Sequence, residues 1–502
     1  ASKPGLVFVH GLHGNVASWN ADTEYYGHND MYDTAYAAGY KTFFVDLWDA
    51  EGEAKNSITN GKLLVKLVRT ITQYWGVDQV NVVAHSKGGV DANVAALLSK
   101  GLIDSVFTLS SPHWGSPLAD LAQSSSLEWL ADLLGFNDEG TKFLQTACMA
   151  WFRSAIDWRP ANDNYAVHTA AATGWGPLFS SLEYGGLYLA TVCPGGDNDG
   201  LVCVEHAEHP WGRDAGGTVT GEHRLVWDAG GPDFEADHDN VRMGNAFMDF
   251  TWFWEPDDCY IPIFGSIEPY VGGFHNGPEP VSRPVLSPAT ADSRALHSLL
   301  RGGPIGADGA AIEFPVEPGV GRFAVRVLLG PAPSRVVLRS PSGGTFELPA
   351  ATPSGGRIFR GTSVTGLEVD RPEAGAWRLE LTSEGPNAFA LLGVFDSDLE
   401  VRLSVAPDGA TGRVVSVAVD GAGAVEVSGV LKGAGGQRRE LAGDAGVLAF
   451  TPGPGEVHNL SLTIRGALAG GEAFERSAVV PIVVGGGPSG GPGGAKLPEF
   501  CE

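Results

Sequence analysis

Ser86 sits in Ala84-His85-Ser86-Lys87-Gly88-Gly89, between the apolar run Gln79 to Val83 and the alanine-rich stretch Val90 to Leu98. A serine hydroxyl is a weak nucleophile until a neighbouring base takes its proton. The chemistry available to it therefore depends on how the chain presents it and on what is brought to it. The flanking patterns predict a strand, a sharp turn and a helix. Small residues at Ala84, Gly88 and Gly89 let the backbone on either side of the turn pass close together, and the turn leaves the hydroxyl protruding. It also places the Lys87 N–H at the start of a helix, where a developing oxyanion can be bound. Glycine is more usual than alanine at the position of Ala84, a difference of one methyl group.

A second oxyanion donor, an acid and a base have to come from other segments. Leu6-Val7-Phe8-Val9 is the continuous apolar run of a buried parallel strand,. It feeds His10-Gly11-Leu12-His13-Gly14-Asn15, whose small residues let the chain turn across the strand's carboxyl end, and the Leu12 N–H is the candidate donor,. Leu187 to Val192 reads as a later strand leading into Asn198-Asp199-Gly200-Leu201-Val202, which makes Asp199 the candidate acid with Asp197 its nearest competitor. His206, His209, His223, His238 and His275 follow. His238, in Asp237-His238-Asp239-Asn240-Val241 before an expected helix carrying Phe247, Met248, Phe250 and Phe253, is favoured, with His223 as its rival.

The elements that must position these residues follow a strand and helix alternation. Lys41 to Leu47 reads as a strand, Leu63 to Trp75 as a helix with three-to-four spacing, and Ser105 to Ser110 as a strand closing into Pro112-His113-Trp114-Gly115-Ser116,. This rhythm specifies an α/β fold with a mostly parallel sheet. Between about 115 and 185 the alternation stops, and Leu127, Trp129, Leu133, Phe143, Trp151 and Phe152 suggest a helical cap with its own small core over the sheet's carboxyl edge.

After the first 275 residues the composition changes. Residues 276–292 form a proline-rich linker,. Beyond it the pattern has period two: Phe323, Val325 and Val327 alternate with Ala324 and Arg326, and Trp377, Leu379 and Leu381 alternate with Arg378 and Glu380. That is the signature of antiparallel sandwiches, here one over 293–397 and a second, immunoglobulin-like one over 398–484, before a Gly/Pro-rich tail at 485–502,. Trp377 reads as core rather than as a surface contact.

The 502 residues carry a formal charge of −26, which argues against nucleic acid and against docking to anionic membranes, and there is no stretch long enough to span a bilayer,. The chain opens at Ala1 directly before a strand, as a mature or trimmed form would,. Its five cysteines have no metal-ligand spacing with histidine,. Cys193 and Cys203 bracket a short loop that a disulfide could staple in a secreted protein,. Cys501 is left unpaired, paired with Cys259, or in a sorting segment.

Val9-His10-Gly11-Leu12, the Ser86 turn, Ser111 to Ser116, Asn198 to Val202 and Asp237-His238 occur in the order and approximate spacing of secreted bacterial true lipases. Lipase-like extracellular poly(3-hydroxybutyrate) depolymerases look similar. The resemblance covers residues 5 to 255 and implies an α/β-hydrolase fold, Ser86, Asp199 and His238 as a triad, and Leu12 and Lys87 as oxyanion donors. It implies a water-insoluble ester or polyester as substrate and no required cofactor. Many such lipases bind calcium or zinc near the acid and histidine loops, but no ligand set is readable here: Asp239 is displaced from the usual position and the zinc histidines are missing. Three functions follow as expectations. They are a secreted lipase or esterase for medium or long acyl chains, a polyester depolymerase held on its polymer by the sandwiches, and a surface-attachment protein with an inactive hydrolase fold.

Overall fold

The computed structural model describes residues 5–125, 127, 137–157, 165–209, 212–214, 226–227, 237–243, 294–349, 361–409, 411–433, 436–453, 457–484, 498 and 501, positions 38 and 53 excepted. Cys259, His223, His275 and the expected helix around Phe247 lie outside these residues.

Six strands lie side by side in the order β2-β1-β3-β4-β5-β6, namely β1 Gly5–Val9, β2 Lys41–Val45, β3 Val80–His85, β4 Ile103–Leu109, β5 Ala166–Ala172 and β6 Gly212–Asp214, and β7 Val226–Trp227 pairs with β5. Every pairing is parallel. Parallel neighbours need crossovers, and the helices supply them. The first helices are α1 Met31–Ala37, α2 Ser57–Trp75 and α3 Lys87–Leu98. They are followed by α4 Pro117–Ala122, α5 Glu139–Phe143, α6 Thr146–Ile156, α7 Ser181–Ala190 and α8 Val204–Ala207. β1 and β3 are buried along their whole length, as their uninterrupted apolar runs require when both faces are covered.

The structure corrects the reading between residues 115 and 192. Leu187 to Val192, expected as a strand, belongs instead to α7 and the turn after it. Ser180 caps that helix by accepting from the Glu183 N–H, and Leu182 and Leu189 are fully buried. A short apolar run does not by itself distinguish strand from buried helix, and the cap residue decides it. The sheet's fifth strand is β5, inside the stretch read as a cap. The cap does not have a separate core either: Phe143, Leu144, Met149, Trp151 and Phe152 pack into the same cluster as Val7, Val82 and Val106 of the sheet.

The carboxyl half builds two pairs of four-stranded antiparallel sheets. The first pair closes over Phe323, Val325, Val327, Trp377 and Leu379, with Trp377 in the core as expected. The second closes over Val401, Leu403, Leu460 and Ile464. Arg294–Ala295 pairs with Val401–Asp408 and so joins the second sandwich before the chain enters the first. Both sandwiches sit against the α/β half. Leu300, Leu328, Ala390 and Leu392, from the outer face of the first, pack with Tyr184, Leu189, Cys193 and Cys203. Arg326 reaches across to Glu183, with Nε 2.8 Å from Oε1. Val457 and Cys501 enter the core of the α/β half. Cys501, for which three fates stood open, is bonded to Cys148 of α6, and Cys193 is bonded to Cys203.

Candidate active site

The turn between β3 and α3 holds Ser86 at φ 54° and ψ −136°, a conformation that L-residues adopt only where the surroundings enforce it. The reason for glycine at position 88 is geometric: a Cβ there would lie 2.3 Å from the His10 carbonyl oxygen. The loop after β1 closes over the same point, since a Cβ on Gly11 would come 2.7 Å from the Ser86 Cβ. Leu12 follows directly and lines the cavity in which Ser86 stands. Lys87 is the first residue of α3, so its N–H has no acceptor within the helix.

The structure brings Ser86, His238 and Asp199 together. His238 Nε2 lies 2.9 Å from Ser86 Oγ, and His238 Nδ1 lies 2.9 Å from Asp199 Oδ2. The two loops are also joined through the main chain, the His238 N–H donating to the Asp199 carbonyl at 2.9 Å. Asp199 Oδ1 accepts from the N–H groups of Leu201 and Val202 at 3.0 and 2.7 Å. The Cys193–Cys203 bridge closes the loop that carries this acid. Asp197, its sequence competitor, makes no such contact with His238: its carbonyl accepts from Val204 N–H. His206 and His209 lie elsewhere, with His206 Nδ1 2.9 Å from the Gly115 carbonyl and His209 Nε2 beside Arg153.

Two residues act on the site in ways that spacing did not reveal. His85, already in the turn motif, places Nε2 2.7 Å from the His238 carbonyl, and its ring lies 4.9 Å from that of His238. Burial, with His238 and Arg242 nearby, holds the His85 pKa well below the ordinary histidine value. The ring is therefore neutral, and a carbonyl partner makes Nε2 the protonated nitrogen. The second is the Lys87 side chain, which turns away from the cavity into the interior. Its Nζ lies 3.0 Å from Asp49 Oδ2 and 3.0 Å from Asp91 Oδ2, and Asn60 Nδ2 donates to both carboxylates at 2.8 and 2.9 Å. Asp49 is held below the usual carboxylate range by Lys87 against the opposing effect of its burial. Burial, reinforced by Asp49, pushes Asp91 up to about 6. One ammonium cannot balance two buried carboxylates.

His238 has its own support. Asp237 Oδ1 accepts from the N–H groups of Asp239 and Asn240, while Asn240 Oδ1 accepts from the Asp237 N–H. This reciprocal cap turns the chain immediately around the imidazole. Asp239 is engaged by the Arg242 guanidinium and by the Glu24 N–H, 2.6 Å away. Among the described residues, no group of three or more His, Cys, Asp or Glu side chains is arranged to hold a metal ion.

Ser86 and His238 open into a cavity of about 530 Å³. Its walls are mainly apolar, with Leu12, Ala17, Leu118, Ala119, Leu144 and Val202 among them. This arrangement can pass a proton from Ser86 to His238 while an apolar chain occupies the adjoining space.

The PGAP1-like alpha/beta domain family matches residues 2–131. Triacylglycerol lipases from Pseudarthrobacter phenanthrenivorans and Burkholderia plantarii are each 28% identical over 123 residues, 24% of this chain and 37% and 33% of theirs. The chain thus spans about a third of the length of these curated relatives. Bacillus licheniformis lipase BlEst2, solved in its propeptide form, shares 25% identity at a TM-score of 0.72, over 96% of this chain and 94% of its own.

Proposed function

Because this chain is a lipase-like α/β-hydrolase, we propose that it hydrolyses carboxylic esters through a serine acyl-enzyme. The observation that carries the reading is the continuous Ser86–His238–Asp199 contact at the wall of an apolar cavity. His238 Nε2 accepts the hydroxyl proton as Ser86 Oγ attacks the ester carbonyl, and returns it to the leaving alcohol. Asp199 fixes the tautomer with the proton on Nδ1 and stabilises the imidazolium. The oxyanion is received by the N–H groups of Leu12 and Lys87, donors each worth on the order of 100-fold in rate where such groups have been removed. A water activated by the same imidazole then releases the acid. His85 steadies the His238 main chain, so that the base meets the hydroxyl at a fixed distance.

Acyl chains of medium or long length suit the cavity, which offers apolar contact beyond the reacting carbonyl. Two disulfides, in a chain without metal-type cysteine spacing, support export to an oxidising compartment,. Hydrolysis of chromogenic esters of graded acyl length, beside polyester films, tests the reading. Ser86→Ala should lose at least about 10⁴-fold in kcat. Unchanged hydrolysis in that variant refutes the assignment, and preferential film erosion shifts the substrate to a polymer.

The end-to-end likeness to a lipase in its propeptide form favours one addition. We read the sandwich half as a segment that processing removes, since Ser86, Asp199 and His238 all precede it. Protease treatment should then leave an active species lacking residues 294–484. Loss of all activity with that segment counts against it.

A further inference from the structure

The helix that forms one wall of the acyl cavity is finished by a different domain. α4 has only six residues, Pro117–Ala122. Helices this short are marginal in isolation because nucleation is costly and the last carbonyls lack intrahelical donors. Its entry is secured locally: Ser116 Oγ accepts from the Leu118 N–H at 3.1 Å and donates to the Leu201 carbonyl. Its exit is not. The Asp120 carbonyl accepts from Asn459 Nδ2 at 2.8 Å, the Gln123 carbonyl accepts from Lys432 Nζ at 3.2 Å, and the Ser125 N–H donates to Ser461 Oγ at 3.2 Å. All three partners belong to one sheet of the second sandwich, on strands Ala422–Lys432 and Val457–Leu468. The opposite face of α4 presents Leu118, Ala119 and Ala122 to the cavity beside Ser86.

We propose that in the unprocessed chain Lys432 and Asn459 are specificity-determining positioning residues: by capping α4 from the second sandwich they fix the acyl-binding wall, for as long as that segment is attached, without touching the proton-transfer residues. The physical basis is that a buried carbonyl without a donor carries the full cost of its lost hydration. Freed of both donors, the last turn of α4 unwinds toward water, and Leu118, Ala119 and Ala122 no longer hold their places. Asp120 adds a second consequence, since its carboxylate accepts from both Thr146 N–H and Oγ1, at 2.9 and 2.7 Å, at the start of α6. The movement would therefore carry to Leu144, two residues before α6 and also in the cavity wall. The substrate part of the inference rests on the ester-hydrolase reading, while the capping part does not.

The test uses the full chain with Lys432→Met, Asn459→Leu and the pair combined, and Lys432→Arg as the variant that keeps a donor. Amide hydrogen exchange in a peptide covering 117–125 should speed up by about fivefold or more in the double variant, with peptides covering β3 and α3 unchanged. KM for p-nitrophenyl decanoate should rise by roughly three- to tenfold, the equivalent of one lost hydrogen bond, while kcat/KM for p-nitrophenyl acetate stays within about twofold. Lys432→Arg should restore both. Unchanged exchange at 117–125 overturns the capping. Equal losses on both esters overturn the role in specificity. Should the double variant fail to fold, Ser461→Ala carries the same exchange test on the third contact. Absence of ester hydrolysis in the unaltered chain would overturn the proposed function and leave the exchange result to decide the capping.

Discussion

Lys87→Met is the most informative single change, because one residue carries the proposed oxyanion N–H on its main chain and a buried ammonium on its side chain. Lys87, Asp49 and Asp91 are each at most 1% exposed, and the ammonium lies 3.0 Å from both carboxylates. Removing it leaves two carboxyls in one dry pocket with Asn60 as their shared donor. Breaking a buried ionic cluster by deleting one partner costs about 3–5 kcal/mol, much of it the desolvation of the charges left behind. The cost depends on pH with a definite sign. Already in the intact cluster Asp91 is raised to about 6, so its stabilising contribution is complete below the unfolded value near 4 and is lost as pH rises through 6. Without the ammonium both carboxyls behave this way, so the variant should lose more stability at pH 8 than at pH 5. Urea unfolding at the two pH values measures this. Adding Asp49→Asn and Asp91→Asn to Lys87→Met should recover most of the loss, since removing all partners of a buried pair is often close to neutral. In the folded variant kcat should fall by about tenfold with KM nearly unchanged, because the first turn of α3 is no longer pinned and a small misplacement of a catalytic group is expensive. A loss below about 1 kcal/mol at pH 8, or a larger loss at pH 5, would refute the account of the cluster.

Two further outcomes follow from the same coordinates. Asp199→Asn should lower kcat by about 10⁴-fold with KM little changed, as the same substitution does in other serine triads through the wrong imidazole tautomer; steady-state kinetics showing less than a tenfold fall would remove Asp199 from the relay. Asp120, whose pKa burial pushes up to about 7, contributes stability that is complete below about pH 4 and is lost as pH rises through 7. Asp120→Asn should thus gain about 2–3 kcal/mol relative to the native chain between pH 5 and pH 8 in paired unfolding curves, and parallel curves would contradict the burial argument.

Legibility in the sequence followed the range over which each determinant acts. The Ser86 turn, β1, α2 and the alternating sandwich strands are set by residues within a few positions of one another, and the structure places them where the patterns do. The contacts of Asp199 and His238 were expected from chain order together with the lipase resemblance, Asp199 on the premise of a strand over Leu187 to Val192 that is helix and turn in the structure. α7 was misread because Leu187-Tyr188-Leu189 is apolar in either conformation. The deciding signal was Ser180 with Glu183 three residues on, a capping arrangement that lay ahead of the run in plain view,. The Lys87 cluster was beyond reach: Asp49 is 38 positions from Lys87, and an acid after an apolar strand is ordinarily a solvated residue. The seating of the sandwiches did leave a trace. A strand with one face in water alternates, yet Asn387–Asp396 reads Asn-Ala-Phe-Ala-Leu-Leu-Gly-Val-Phe-Asp and is buried at eight of its ten positions. Leu391 and Phe389 face the sandwich core while Leu392 and Ala390 face α7 and the Cys193–Cys203 loop. Such a two-sided run in an otherwise alternating domain means that the outer face is covered too. The cover is the domain holding Ser86, through Tyr184 and Leu189 of α7 and the Cys193–Cys203 loop.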